Sequence, residues 1–272
     1  MLLVSDNRLT KEDLALQVIE KVNLLRNYED ATKLIAEKVL GAKPVVLSYI
    51  NAHAYNLCCT DVGFSSALLQ SDIILRDGIG MEILYKAIGR SPGANLNGTD
   101  LIPELIEFYR FKKIALLGTE FKFLQAASQK LSSQGYNIVL TETGFHPAEH
   151  YVTIVNEARP DIIILGMGMP KQEKVSIFLK KNLNYPCLIV NGGAIIDFWG
   201  NKIHRAPMWL RRVKLEWLFR LAQEPTRLFS RYVVGNYVFL MRTKTLKKYL
   251  NIQKQGYRID YIPAENVEKK VV

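Results

Sequence analysis

Four short runs decide the fold: IALL at 114–117, IVL at 138–140, IIIL at 162–165 and LIV at 188–190. Between them lie stretches with helical spacing, 120–133, 148–158 and 171–181, punctuated by Gly135, Pro160 and Pro186. Brief apolar runs rich in β-branched residues and bounded by Gly or Pro read as strands covered on both faces. Helices between such strands make parallel crossovers, so the stretch is predicted as βαβαβαβ. The expected fold class is α/β, a Rossmann-like domain built on a parallel sheet, in which ligands meet the carboxyl ends of the strands.

Working outward toward the N-terminus, VVLSYI (45–50) is a further strand, bounded by Pro44 and Asn51, and Asp72-Ile-Ile-Leu75 is another. The second ends in Arg76-Asp77-Gly78-Ile79-Gly80, where two glycines permit a sharp turn. Thr10 with Asp13 three residues on has the form of a capping box, and Leu14, Val18, Val22 and Leu25 continue it as a helix of about 15 residues. Residues 31–40 and 52–70 also read as helical. Toward the C-terminus the alternation stops near 200, and basic amphipathic helices are expected over about 207–222 and 226–249, before a polar tail. The division expected is an α/β catalytic domain over 1–200 and a basic helical appendage over 201–272. Function is expected in the loops after 50, 76, 117, 165 and 190.

The 272 residues, 49% hydrophobic and 23% charged, exclude a disordered or low-complexity chain. Cys58, Cys59 and Cys187 include no C-x-x-C pair, which points to a reducing compartment. No signal-peptide pattern opens the chain, and no apolar run reaches the length of a membrane span, so neither secretion nor a spanning helix is expected. The net charge of +10 is confined to one segment: residues 201–258 hold 14 Lys and Arg against 2 Asp and Glu. Such a block suits an anionic partner: a phosphate-bearing substrate, an anionic membrane surface or nucleic acid. No helix-turn-helix, RRM or zinc-finger signature accompanies it, which argues against nucleic acid. A packed helix with a solvated basic face is the plain alternative.

Three strand-end loops are expected to open toward one crevice: Asn51-Ala-His53, Asp77-Gly-Ile-Gly80, and Gly166-Met-Gly-Met-Pro-Lys-Gln172-Glu173. A carboxylate on a glycine-bounded turn can serve as general base when its surroundings lift its pKa. Asp77 equally suits a helix N-cap. Gly118-Thr119, Gly166-Met-Gly168 and Gly192-Gly193 could bring backbone N–H groups to a nucleotide phosphate. Neither G-x-G-x-x-G at the first βα turn nor a P-loop is present. His146 and His150 are four apart, but Pro147 lies between them and there is no H-E-x-x-H, so no metal site is expected. No pair of aspartates is spaced D-x-D. A diphosphate would therefore be neutralised by side chains, and the arginines of the basic segment, interleaved with Trp209, Trp217, Phe219 and Phe229, can supply them.

In this order, Ile50-Asn51-Ala52, Asp77-Gly78-Ile79-Gly80, Asn97-Gly98-Thr99-Asp100-Leu101, Gly166 through Glu173, Asn191-Gly-Gly-Ala194, and Arg205-Ala-Pro207 leading to Glu216-Trp217, Arg220-Leu221 and Glu224-Pro225 resemble the WecG/TagA/CpsF glycosyltransferases of bacterial surface-polysaccharide synthesis. The resemblance runs from about Asn51 to Arg231. It implies inverting, metal-independent and cofactor-free transfer of a sugar from a UDP-sugar to a polyprenyl-diphosphate-linked saccharide, by an enzyme peripheral at the cytoplasmic face of the cell membrane. It implies Asp77 as base and Gln172 beside the donor sugar, with Asn51, Asn97, Gly118, Gly166 and Asn191 also among the substrate-binding positions. Arg220, Arg227 and Arg231 fall on the arginines that grip the diphosphate. The resemblance leaves the oligomeric state open, homo-oligomer included. Teichoic-acid-type members carry Thr where this chain has Tyr49 and Arg where it has Asn95, so N-acetylmannosamine, N-acetylmannosaminuronic acid, glucose and glucuronic acid all stay open as donor sugars. A non-catalytic module binding nucleic acid or phosphate is the alternative.

Overall fold

The computed structural model describes residues 10–213 and 215–254, without the side chains of Arg227, Gln253 and Lys254. The polar tail beyond 254 lies outside the described residues. Six strands, β1 (Val45–Ile50), β2 (Ile73–Arg76), β3 (Lys113–Gly118), β4 (Asn137–Glu142), β5 (Ile162–Gly166) and β6 (Leu188–Asn191), form one sheet in the order β2-β1-β6-β5-β3-β4. Every pairing is parallel. All six carboxyl ends therefore lie along one edge.

The apolar runs alternate between the two faces of this sheet. Ile114 and Leu116 join the cluster formed with helices Tyr28–Val39, Gly98–Phe108 and Phe121–Ser133. Ala115 and Leu117 join the opposite cluster, with helices Ala148–Ala158 and Lys171–Asn182. Two-sided burial is why these strands read as continuous apolar runs rather than as alternating ones.

Three helices differ from the spacing-based expectation, each for a local reason. The first forms its capping box at Thr10 but ends at Lys21, because Val22 turns extended and Asn23 bridges to Leu75 beside β2. The stretch 52–70 divides into Ala52–Cys58 and Val62–Gln70, since Asp61 accepts the backbone N–H of Phe64 at 3.0 Å and starts a new helix. A helix over Gly98–Phe108 was not expected; the interior Pro103 disguises it, while Asn97 caps it.

Beyond 200 the chain forms Met208–Arg212, Glu216–Gln223, Pro225–Phe229, a π-helical turn at Ser230–Val234, and a long helix Gly235–Lys254. The first expected helix is thus interrupted between Met208–Arg212 and Glu216–Gln223, and the second at the π turn. The last helix is packed into the α/β body. Phe239 and Leu246 are buried in a cluster with Tyr55, Cys58 and Tyr85, and the Phe239 ring meets that of Tyr55 edge-on at 5.7 Å. Asn56 donates to the Gly235 carbonyl at 2.7 Å, and Arg242 donates to the Asn56 carbonyl at 3.0 Å.

Candidate active site

Asp77 follows directly on β2 and occupies the N-cap position of helix Gly78–Ala87, yet its side chain makes no capping hydrogen bond. The Gly78 N–H is taken instead by Asn95 Oδ1 at 2.6 Å. Gly78 itself has φ +81°, a conformation that suits glycine and makes the turn sharp. Buried Arg76 braces the turn from below, donating to the carbonyls of Gly78, Pro92 and Gly93. The helix is therefore capped without the Asp77 carboxylate. Burial lifts that carboxyl above the ordinary aspartate range, and Glu216 adds to the lift. A hydrogen bond from Asn51 and the charges of Arg220 and Arg231 pull the other way.

Asn51 serves two neighbours. Its Oδ1 caps helix Ala52–Cys58 by accepting the Ala54 N–H at 3.0 Å, and its amide supports Asp77. Asn97 is committed to its own helix, accepting the Asp100 N–H and donating to the Asp100 carboxylate at 2.8 Å. Gln172, 1% exposed, accepts the Gly193 N–H through Oε1 and donates through Nε2 to Glu173. Burial lifts the Glu173 carboxyl to about 7, opposed by the Gln172 bond, and its Oε2 has no partner among the described residues. Asn191 donates to Ser48 and Ser176. Gly166 lines the crevice, whereas Gly118 is set back from it. A Cβ at Gly118 would stand 2.4 Å from the Gly166 backbone, so glycine there answers to the close approach of β3 and β5. The side chain of Arg227 lies outside the described residues.

Two cavities meet at Asp77. One, of about 360 Å³, is roofed by strand-end loops and lined by Tyr49, Thr119, Gly166, Gln172, Asn191 and Gly193. The other, of about 350 Å³, lies between helix Gly78–Ala87 and the C-terminal helices, with Ile79, Ile83, Trp217, Tyr232, Phe239 and Leu240 on its walls. Asn51, Asp77, Thr99, Arg220 and Arg231 line both. A carboxylate and two guanidinium groups thus stand where a polar compartment opens into a more apolar one.

The model of the glycosyl transferase WecG/TagA/CpsF family matches residues 18–255. The chain belongs to that family. Among its relatives, the N-acetylglucosaminyldiphosphoundecaprenol N-acetyl-beta-D-mannosaminyltransferase of Bacillus subtilis (strain 168) is 27% identical over 210 residues, covering 75% of this chain and 80% of the relative. The protein of the same description from Staphylococcus aureus (strain MW2) is 23% identical over 223 residues, covering 78% and 81%. A solved extracellular ligand-binding receptor from Rhodopseudomonas palustris HaA2 overlaps at a TM-score of 0.31 and 12% identity, covering 90% of this chain and 79% of the receptor, too slight a likeness to carry anything over.

For a WecG/TagA/CpsF member, the two departures from the teichoic-acid pattern both fall beside Asp77. Asn95 holds the Asp77–Gly78 turn. The Tyr49 ring packs against Gly98, and its hydroxyl is buried without a partner among the described residues. The loop after β4 was not among those expected to carry function, yet its Gly144 and Phe145 line the strand-end cavity. Its strand is weakly apolar and half-buried at the sheet edge, which masked the loop's place among the other strand ends. Trp217 and Tyr232, whose rings meet at 6.1 Å, are cavity residues as well as members of the basic segment.

Proposed function

We propose that this glycosyltransferase moves a sugar from a UDP-sugar to the hydroxyl of a polyprenyl-diphosphate-linked saccharide, with inversion and without a metal ion in the chemistry. The observation that carries the reading is the position of Asp77, a carboxylate that caps no helix and stands at the junction of two cavities. The strand-end cavity suits a sugar nucleotide, with the Gly166, Gly192 and Gly193 backbone and the Gln172 amide along its wall. The second cavity, apolar on one side, suits the lipid-linked acceptor. Asp77 takes the proton of the acceptor hydroxyl as its oxygen bonds to the anomeric carbon from the face opposite UDP. The bond from that carbon to the UDP oxygen breaks, and its electron pair leaves with the diphosphate. Arg220 and Arg231, which line both cavities, offset the diphosphate charge.

The same reading places the basic segment at a membrane. Trp209, Phe229 and Val213 are 65%, 56% and 57% exposed among the arginines, and no helix among the described residues is long and apolar enough to cross a bilayer. Exposed aromatic and aliphatic side chains beside clustered basic charge favour peripheral binding to an anionic surface. That surface is the cytoplasmic face of the cell membrane, where the acceptor lipid would be reached in plane.

Asp77→Asn tests the base. Asparagine keeps the shape and can still accept from Asn51, so a fall of about 10² to 10⁴ in kcat is expected, as is typical of lost general base catalysis. Undiminished release of UDP by this variant would remove Asp77 from the role. A melting temperature raised by oligonucleotides and not by UDP would favour a non-catalytic binding module instead.

A further inference from the structure

Away from Asp77, the turn from β4 into helix Ala148–Ala158 gathers three metal-ligating side chains. Glu142 ends β4, His146 lies in the loop, and His150 sits in the first turn of the helix. His146 Nε2 is 3.2 Å from one Glu142 carboxylate oxygen, and His150 Nε2 is 3.1 Å from the other. The imidazole centroids are 4.3 Å apart, and all three donor atoms lie within 4.8 Å of one another. Pro147 keeps His146 and His150 from sharing a helical face, so their spacing alone makes no metal site. The missing partner, Glu142, comes from a strand, and the chain reversal brings it to the pair.

Two features separate this cluster from a casual contact of surface groups. The first is the donor set: two imidazole nitrogens and a carboxylate form a zinc-type combination, and bonds of about 2.0–2.1 Å in a tetrahedron put ligand atoms roughly 3.3 Å apart. The three donor atoms lie within 4.8 Å of one another, the contacts of 3.2 and 3.1 Å being to different oxygens of the carboxylate. The second is the scaffold. The Tyr151 hydroxyl, on a buried side chain, donates to the Thr143 carbonyl at 2.7 Å and accepts the His146 N–H at 3.1 Å. Lys171 donates to the carbonyls of Gly144 and His146 at 2.7 and 3.1 Å. The loop is thus tied down at both ends of its histidine. The Thr143 N–H and hydroxyl also reach the Glu142 carboxylate, orienting it as an outer-shell partner would.

We propose that Glu142, His146 and His150 bind a zinc-class divalent ion, with the fourth position open to water. The ion has no part in sugar transfer at Asp77. Gly144 and Phe145 lie between two of its ligands and line the strand-end cavity, so the ion would fix that wall. The proposal does not depend on which sugar is moved.

The test uses the full chain, stripped of metal with a chelator and then freed of it. Titration with Co²⁺ should give the intense visible bands of tetrahedral coordination at one ion per chain, displaced by Zn²⁺. His146→Gln and His150→Gln should each weaken binding by about tenfold or more, the scale seen when a metal site's supporting groups are lost. A measurement needing no variant is modification of histidine by diethyl pyrocarbonate, mapped by mass spectrometry. Zn²⁺ should slow the labelling of His146 and His150 and leave exposed His204 unaffected. Equal labelling of both histidines with and without Zn²⁺, or Co²⁺ bands undiminished in the His146→Gln/His150→Gln double variant, would overturn the proposal.

Discussion

Replacing Tyr49 by Phe removes one oxygen from the strand-end cavity, and its expected effects on stability and on turnover have opposite signs. The ring is packed on Gly98 and 4% exposed, so Phe fills the same volume. The hydroxyl is buried with no hydrogen-bond partner among the described residues, and an unsatisfied buried polar group costs about 1–3 kcal/mol. Because the cavity beside it admits water, the lower end of that range applies. The ligand-free variant should be more stable by roughly 1 kcal/mol, a rise of about 2–4 °C in Tm for a chain of this size. On the proposed reading, a sugar or phosphate oxygen of the donor supplies the missing partner in the complex. Losing that bond should cost about 0.5–1.5 kcal/mol, or about 2- to 12-fold in kcat/KM. Calorimetry on the free protein and steady-state UDP release across several UDP-sugars measure the two effects, and the donor most affected is the one whose oxygen meets Tyr49. A lowered Tm would show that the hydroxyl already has a partner in the free protein. An unchanged kcat/KM for every donor would show that it never meets the sugar nucleotide.

Two further expectations concern the buried acid and the basic surface. Glu173 titrates near 7 when folded against 4.5 ordinarily. Between those values the folded chain holds a proton that the unfolded chain has lost, so this group's contribution to stability falls as pH rises across the window, by roughly 3 kcal/mol at most. Glu173→Gln can still accept from Gln172 and should lack this slope. It should therefore exceed the wild type in stability at pH 8 more than at pH 5 in urea denaturation, and an equal difference at both would contradict the assignment. The protein should also sediment with anionic vesicles at low salt and be released at high salt, since screening shortens the reach of its basic residues. Trp209→Ser/Phe229→Ser should weaken that binding, and equal affinity for neutral vesicles would argue against an electrostatic contribution.

The sheet was legible because two-sided burial leaves an unambiguous pattern. All six strands coincide with apolar runs bounded by turn residues, and their parallel order follows from the helices between them. Helix ends were less legible, since Asn23, Asp61 and Pro103 act through partners or positions that periodicity does not record. In the site, the motif glycines and amides reach the strand ends as expected, but their duties differ. Gly118 permits close strand packing, Asn97 caps a helix, and Asn95 does the capping that Asp77 would otherwise do. A motif marks a position as constrained without saying whether a ligand or the backbone constrains it. The Glu142–His146–His150 cluster was illegible for a related reason: the three residues occupy a strand, a loop and a helix, so no single periodicity relates them.

On the proposed mechanism, the charge excess confined to residues 201–258 bears on Asp77 as well as on phosphate. A general base needs a carboxyl lifted enough to accept a proton yet still ionised at working pH. Burial alone would carry Asp77 toward the neutral form, and Glu216 pushes it the same way. The Asn51 hydrogen bond opposes both first, and Arg220 and Arg231, which come from the C-terminal helices rather than from the sheet, add to it. Those helices are held to the body by Phe239 and Leu246 in the core and by the Asn56 and Arg242 hydrogen bonds. The α/β body thus supplies the carboxylate and the Asn51 hydrogen bond that most opposes the lift, and the C-terminal helices supply charges of both signs, Glu216 raising the pKa and Arg220 and Arg231 lowering it. On the proposed mechanism, Arg220 and Arg231 therefore act on Asp77 as well as on the diphosphate, since both side chains line the two cavities that meet at Asp77.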